Sequence, residues 1–234
     1  MGKTLRDIAQ TAAQHPERAF TVLAYGASES QFCNPAGARP TWVHWLEKSW
    51  RNHAPQVLMF NASIGGNCIR DLLGRYPRDV QPFSPDLVII TTADNDLDAG
   101  VSPDEFHAGL TELCTRILRY GGTPVLQTQY SMVLHRFSEE FQRAYPTYIE
   151  INRTVARELD IPCLDMNRLF LPYYEADPQH YADTLMTDEM HLNGVGNAVM
   201  GCLAVEAFGL PKPDLADLTD IVDRELAAIR ACAR

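Results

Sequence analysis

No run of apolar residues in the 234-residue chain approaches the ~18 that a membrane-spanning helix needs, so no transmembrane segment is expected. Met1 to Phe20 also lack an apolar core of signal-peptide length. The six cysteines, Cys33, Cys68, Cys114, Cys163, Cys202 and Cys232, form no C-x-x-C pair and have no metal-ligand spacing. They read as free, buried thiols in a reduced compartment, which predicts a cytoplasmic protein and no metal. Positive charge is the minority: 20 Lys and Arg against 30 Asp and Glu leave a formal net charge of −10. That balance argues against a nucleic-acid backbone or an anionic membrane surface as the main partner and leaves a small or neutral substrate. Internal repeats, low-complexity stretches and long linkers are missing as well, so positions 1–234 read as a single domain.

What is there is an alternation. Short apolar runs at Thr21–Ala24, Val57–Phe60, Leu87–Thr91, Pro124–Gln129 and Ile161–Leu164 have the length and composition of strands buried on both faces. Between them lie stretches with helical spacing. Thr41–His53 carries Trp42, Trp45, Leu46 and Trp50, and Phe106–Tyr120 follows the helix start Ser102-Pro103-Asp104-Glu105. Tyr148–Leu159 and Val195–Phe208 behave similarly, and Gly121-Gly122 stops a helix just before the fourth strand. Amphipathic helices are expected near both ends, at 3–14 and 214–231, the latter either packing on its own domain or meeting a second copy in a homo-oligomer. Repeated strand–helix units imply a parallel sheet with helices on both faces, and ligands then bind beyond the carboxyl ends of the strands.

Three segments fall at that edge. Tyr25-Gly26-Ala27-Ser28-Glu29-Ser30 follows the first strand and would expose Ser28 at a tight turn. It is not a G-x-S-x-G elbow, because Ser30 stands where the last glycine belongs. A helix-capping serine is the plainer alternative. Asn61-Ala62-Ser63-Ile64-Gly65-Gly66 follows the second strand; its paired glycines suit an oxyanion site or a phosphate loop, although no lysine follows in Walker spacing. Thr91-Thr92-Ala93-Asp94-Asn95-Asp96 follows the third. Asn95 there could donate to an oxyanion or form an Asx turn. Asp94, Asp96 and Asp98 begin like a calcium loop that lacks its closing glutamate. Far downstream, Asp188-Glu189-Met190-His191 places a carboxylate three residues before a histidine, close enough to orient the ring from within one loop.

Taken in order, these four blocks resemble the SGNH hydrolases, also called GDSL esterases and lipases, over about residues 20–205. The resemblance implies a flavodoxin-like three-layer α/β/α sandwich on a five-stranded parallel sheet and chemistry without a cofactor or metal. It makes Ser28 the nucleophile, His191 its general base and Asp188 the group that holds the histidine. The backbone N–H groups of Ser28 and Gly66 and the Asn95 amide would form the oxyanion hole. Two positions depart from the family pattern: Ala27 replaces the aspartate before the nucleophile, which helps order that loop in the family, and Ala93 replaces the glycine of the third block.

The resemblance implies a carboxylic ester hydrolase acting on a small-molecule ester, either a carbohydrate O-acetyl group or another short acyl ester. An acyltransferase would use the same residues. Ala27 and Ala93 motivate a non-catalytic binding module on the same fold as an alternative, and a flavin or nucleotide binder is a third. Trp42, Trp45, Tyr130, Tyr173 and Tyr174 are available for sugar stacking or core packing. Specificity is expected in variable loops at 31–39, 131–145 and 172–187.

Overall fold

The computed structural model describes residues 2–31 and 40–233. Five parallel strands, β1 (Phe20–Gly26), β2 (Val57–Asn61), β3 (Leu87–Thr91), β4 (Thr123–Thr128) and β5 (Cys163–Asp165), lie in the order β2-β1-β3-β4-β5. Ten α-helices accompany them among the described residues: α1 (Leu5–Gln14), α2 (Trp42–His53), α3 (Ile69–Asp79), α4 (Asp94–Asp98), α5 (Pro103–Arg119), α6 (Glu139–Glu158), α7 (Met166–Ala176), α8 (Pro178–Leu185), α9 (Gly194–Phe208) and α10 (Thr219–Cys232).

Strand alternation sorts the core into two layers. Val22, Ala24, Leu87, Ile89 and Val125 face α1, α2 and α7 to α10. Leu23, Tyr25, Val88, Ile90 and Leu126 face α3, α5 and α6. The three-layer α/β/α sandwich expected from the sequence is therefore observed. The switch point, where neighbouring crossovers run to opposite sides, falls between β1 and β3, and it opens the crevice in which such folds bind ligands.

Several elements depart from the sequence reading. The strands are not all buried on both faces. β2 is an edge strand whose Leu58 and Phe60 are 41% and 45% exposed, with Phe60 stacked on the exposed Phe83. α6 begins at Glu139 rather than Tyr148, because Ser138 caps the Phe141 N–H and two glutamates occupy the first turn; Pro146 is carried within the helix. α9 is not amphipathic. It is covered nearly all round by α1, α2, α8 and α10, and a methyl group on its Gly201 would sit 2.5 Å from Trp45 Cβ. The 172–187 segment is mostly helical, forming the end of α7 and all of α8, and 131–145 includes the first turns of α6. The expected variable loop at 31–39 lies outside the described residues apart from Gln31.

At the C-terminal end, α10 packs on α7 and α9 through buried Val222, Leu226 and Ile229, which favours the intramolecular reading of its apolar face over a contact between copies. Trp42, Trp45, Tyr130, Tyr173 and Tyr174 are all buried, so none is a platform for sugar stacking. No helix among the described residues is long and apolar enough to cross a membrane.

Gly26 closes β1 against β3. Any side chain there meets backbone, since a Cβ would lie 2.2 Å from Thr91 O. Gly26→Ala is expected to lower the unfolding free energy by roughly 3 kcal/mol, read as a lower urea midpoint at unchanged slope.

Candidate active site

The Ser28 turn is a consequence of how β1 ends. After Gly26 the buried Ala27 starts a helical turn in which the Ser30 and Gln31 N–H groups both donate to Ala27 O, at 3.2 and 3.1 Å. Ser28 is left at the lip of this turn. The turn is fixed from below: Ser30 Oγ donates to Thr91 Oγ1 and accepts from Trp42 Nε1, both at 3.2 Å. The segment after β2 wraps over the same strand end, with Ile64 N–H donating to Gly26 O at 3.0 Å. That puts Gly65 beside the serine, where a Cβ on Gly65 would lie 3.6 Å from Ser28 Cβ. Gly66 next to it has φ +78°, a conformation that side chains disfavour, and the space over its Cα is open.

His191 arrives from the loop between α8 and α9. Its Nε2 is 3.0 Å from Ser28 Oγ, and its Nδ1 is 2.9 Å from Asp188 Oδ2 and 3.1 Å from Oδ1. The loop builds this geometry itself, because Asp188 Oδ1 also accepts the Met190 and His191 backbone N–H groups at 2.8 and 2.7 Å. The surroundings hold it in place. Tyr130 Oη donates to Met190 O at 2.7 Å, Val133 N–H to Glu189 O at 2.9 Å, and Asn197 Nδ2 to Leu192 O at 2.9 Å. Partial burial disfavours the Asp188 carboxylate, but the hydrogen bonds from the His191 ring, the His191 N–H and the Met190 N–H outweigh it and hold its pKa below the ordinary value. An ionised Asp188 fixes the proton on Nδ1 and leaves the Nε2 lone pair facing Ser28.

Asn95 sits on the first turn of α4, across the switch point from Ser28. Its Nδ2 is buried and has no hydrogen-bond partner. A buried donor left open in this way costs free energy in the resting protein. The neighbouring Asp96 is a positioning group: it accepts the Ile69 N–H at 2.6 Å and the Thr92 hydroxyl, joining the starts of α3 and α4. Burial pushes its pKa up to about 6, against those two hydrogen bonds. Asp94, Asp96 and Asp98 do not converge, and no group of three metal-ligating side chains is assembled among the described residues.

Three residues around the site carry roles that the sequence reading did not assign to them. Arg75 donates to Gly26 O at 3.0 Å, to Asn67 Oδ1 at 2.6 Å and to Ala62 O, and it lies 4.2 Å from the centroid of the Tyr25 ring, tying the first two blocks together. Tyr130 braces the His191 loop. Gln129 bridges Glu29 and Asp94. The signal for Gln129 was its place immediately after the fourth strand, at the edge where the other three blocks lie. Other histidines also meet carboxylates, namely His15 with Glu17, His107 with Glu158 and His180 with Glu225, but only His191 among the described residues combines this with a serine hydroxyl. His135 is exposed and stacks on Tyr174 rather than on the triad.

The GDSL-like lipase/acylhydrolase family model matches residues 23–199. An arylesterase of Vibrio mimicus is 28% identical over 116 residues, a match that spans 45% of this chain and 58% of that relative. Among solved structures, the acetyl xylan esterase AlAXEase superposes with a TM-score of 0.69 at 22% identity, covering 80% of this chain and 99% of its own. The acetylxylan esterase Axe2 of Geobacillus stearothermophilus gives 0.70 at 19%, covering 85% and 98%. At these identities the two structures speak for the fold alone, while the family model spans all four blocks, and the chain belongs to the GDSL-like lipase/acylhydrolase family.

Proposed function

We propose that this chain hydrolyses carboxylic esters of small acyl groups through an acyl-enzyme on Ser28. The observation that carries the reading is the hydrogen-bonded chain from Ser28 Oγ through His191 to Asp188, at 3.0 and 2.9 Å. In the reaction, Ser28 Oγ attacks the ester carbonyl carbon while His191 Nε2 takes its proton. The carbonyl oxygen becomes an oxyanion held by the Ser28 and Gly66 N–H groups and the Asn95 Nδ2. His191 then gives its proton to the departing alcohol oxygen, leaving the acyl group on Ser28. Water, deprotonated by the same nitrogen, attacks that acyl carbon and restores the serine.

One comparison favours a short acyl group. Two structures of the same fold are esterases named for acetylated xylan. Catalytic mutants of Axe2 alter a serine and a histidine, which supports assigning those two roles here. An O-acetylated carbohydrate is the favoured substrate class.

A chromogenic ester series from acetyl to octanoyl, run beside acetylated xylo-oligosaccharides, tests this. The expected profile has its highest kcat/KM at the shortest acyl chains and falls at least about tenfold towards octanoyl. A maximum at octanoyl would contradict the short-acyl assignment.

A further inference from the structure

Directly behind the nucleophile lies a buried cluster that the hydrolytic steps above do not use. Glu29, next to Ser28, is 6% exposed, and Asp94, next to Asn95, is 2% exposed. Their carboxyl groups both lie against the Nε2 of Gln129. Gln129 donates one N–H to Glu29 Oε1 and the other to Asp94 Oδ1, the latter at 2.6 Å. Its orientation is fixed, because Gln129 Oε1 accepts the Tyr145 hydroxyl at 2.9 Å. Glu29 Oε2 is buried without a donor.

Two carboxylates side by side, buried and served by a single neutral amide, cannot both keep their charge cheaply. Beyond Gln129 and the backbone N–H of Glu29, the surroundings offer little to offset the two charges. The groups facing the pair are the neutral hydroxyls of Tyr130 and Tyr145, with Asp96 and Asp98 on the Asp94 side and the His191 ring lining the same cavity as Glu29. No ion pair between described residues reaches Glu29 or Asp94.

On the reading of the site as a serine esterase, we propose that Glu29 and Asp94 share one proton and, through Gln129, lock the Ser28 turn to the Asn95 turn. Loss of that proton at alkaline pH would then separate the two turns and disperse the oxyanion donors. Both residues are positioning groups, and neither touches the reacting atoms. The arrangement also accounts for Ala27. The loop-ordering that the family assigns to an aspartate before the nucleophile is supplied here by the residue after it.

Burial, and then the neighbouring Asp94, pushes the Glu29 carboxyl well above its ordinary pKa. A carboxyl whose pKa is higher in the folded than in the unfolded state stabilises the fold fully below the unfolded value. That contribution is lost as pH rises through the folded value.

The test compares the parent with Glu29→Gln and Asp94→Asn, each of which replaces the shared proton by an amide N–H. Acetate-ester hydrolysis is followed by pH-stat titration across the alkaline range. The parent is expected to lose about tenfold or more in kcat as the pair ionises and the donors shift. In both variants the ratio of neutral to alkaline kcat is expected to be much smaller. If either variant fails to fold, the other carries the kinetic arm. A difference infrared spectrum, parent minus Glu29→Gln, is recorded at about pH 8, where an ordinary carboxyl is ionised. It should contain the carbonyl band of one protonated carboxyl. An unchanged alkaline loss in the variants, or no such band, would overturn the proposal. The infrared arm needs no substrate, so it still decides the shared proton if the esterase reading itself fails, which the parent's inactivity on every ester would reveal.

Discussion

Ser28→Ala is expected to lower kcat for a chromogenic acetate roughly 10⁴- to 10⁶-fold, the largest effect of any substitution in the chain that leaves the fold intact. The size follows from the role. Without Oγ no acyl-enzyme forms, and only the oxyanion donors and bound water remain to assist hydrolysis. The substitution should be structurally mild. Ser28 sits at the lip of its turn, and the bonds that hold the turn run through Ala27 O, Ser30 and Trp42, none of which it removes. Because Ser28 and His191 act as one unit, adding His191→Ala to Ser28→Ala should cost almost nothing further. Steady-state kinetics with the single and double variants, with thermal unfolding as a folding control, gives the measurement. Residual turnover within tenfold of the parent would remove Ser28 from the mechanism.

Asn95→Ala should separate activity from stability. The amide is assigned to an oxyanion that exists only during reaction, so its removal is expected to cost about 10²–10³ in kcat with little change in KM. In the resting protein the same Nδ2 is buried without a partner. Truncating it therefore removes an unsatisfied donor, and the unfolding free energy should stay level or rise by up to about 1 kcal/mol. An ordinary structural asparagine would behave in the opposite way, with stability falling and kcat moving little. Kinetics and urea unfolding on the same preparation distinguish the two. A stability loss without a rate loss would assign Asn95 to an Asx turn, the reading that its sequence context left open.

Much of this arrangement was legible in the sequence because the strongest signals are local. Leu87–Thr91 has no polar residue before its final threonine, and it became a fully buried strand with those bounds. Asp188 and His191 lie within one loop, so their spacing carries their contact. The alternation of strands and helices alone puts Ser28, Gly66 and Asn95 at one sheet edge. What was not legible depends on partners distant in sequence. Glu29 reads as a solvated acid until Gln129, 100 residues later, is placed against it. Val195–Phe208 showed helical spacing but not its burial nearly all round, because the helices that cover it come from both ends of the chain. β2 read as a buried strand because its composition does not reveal that it takes the sheet edge. Pro146 and Pro172 obscured two helices whose caps, Ser138 and Asp165, decide their starts.

The central claim, that Ser28 is made nucleophilic by His191 and Asp188, is tested most directly by covalent labelling. The protein is treated with an alkyl fluorophosphonate ester, digested, and its peptides are mapped by mass spectrometry, beside His191→Ala under the same conditions. The account predicts one adduct, on Ser28, formed in step with loss of esterase activity and strongly slowed in the variant. Full inactivation with the label on another residue, or labelling of Ser28 at the same rate without His191, would contradict it.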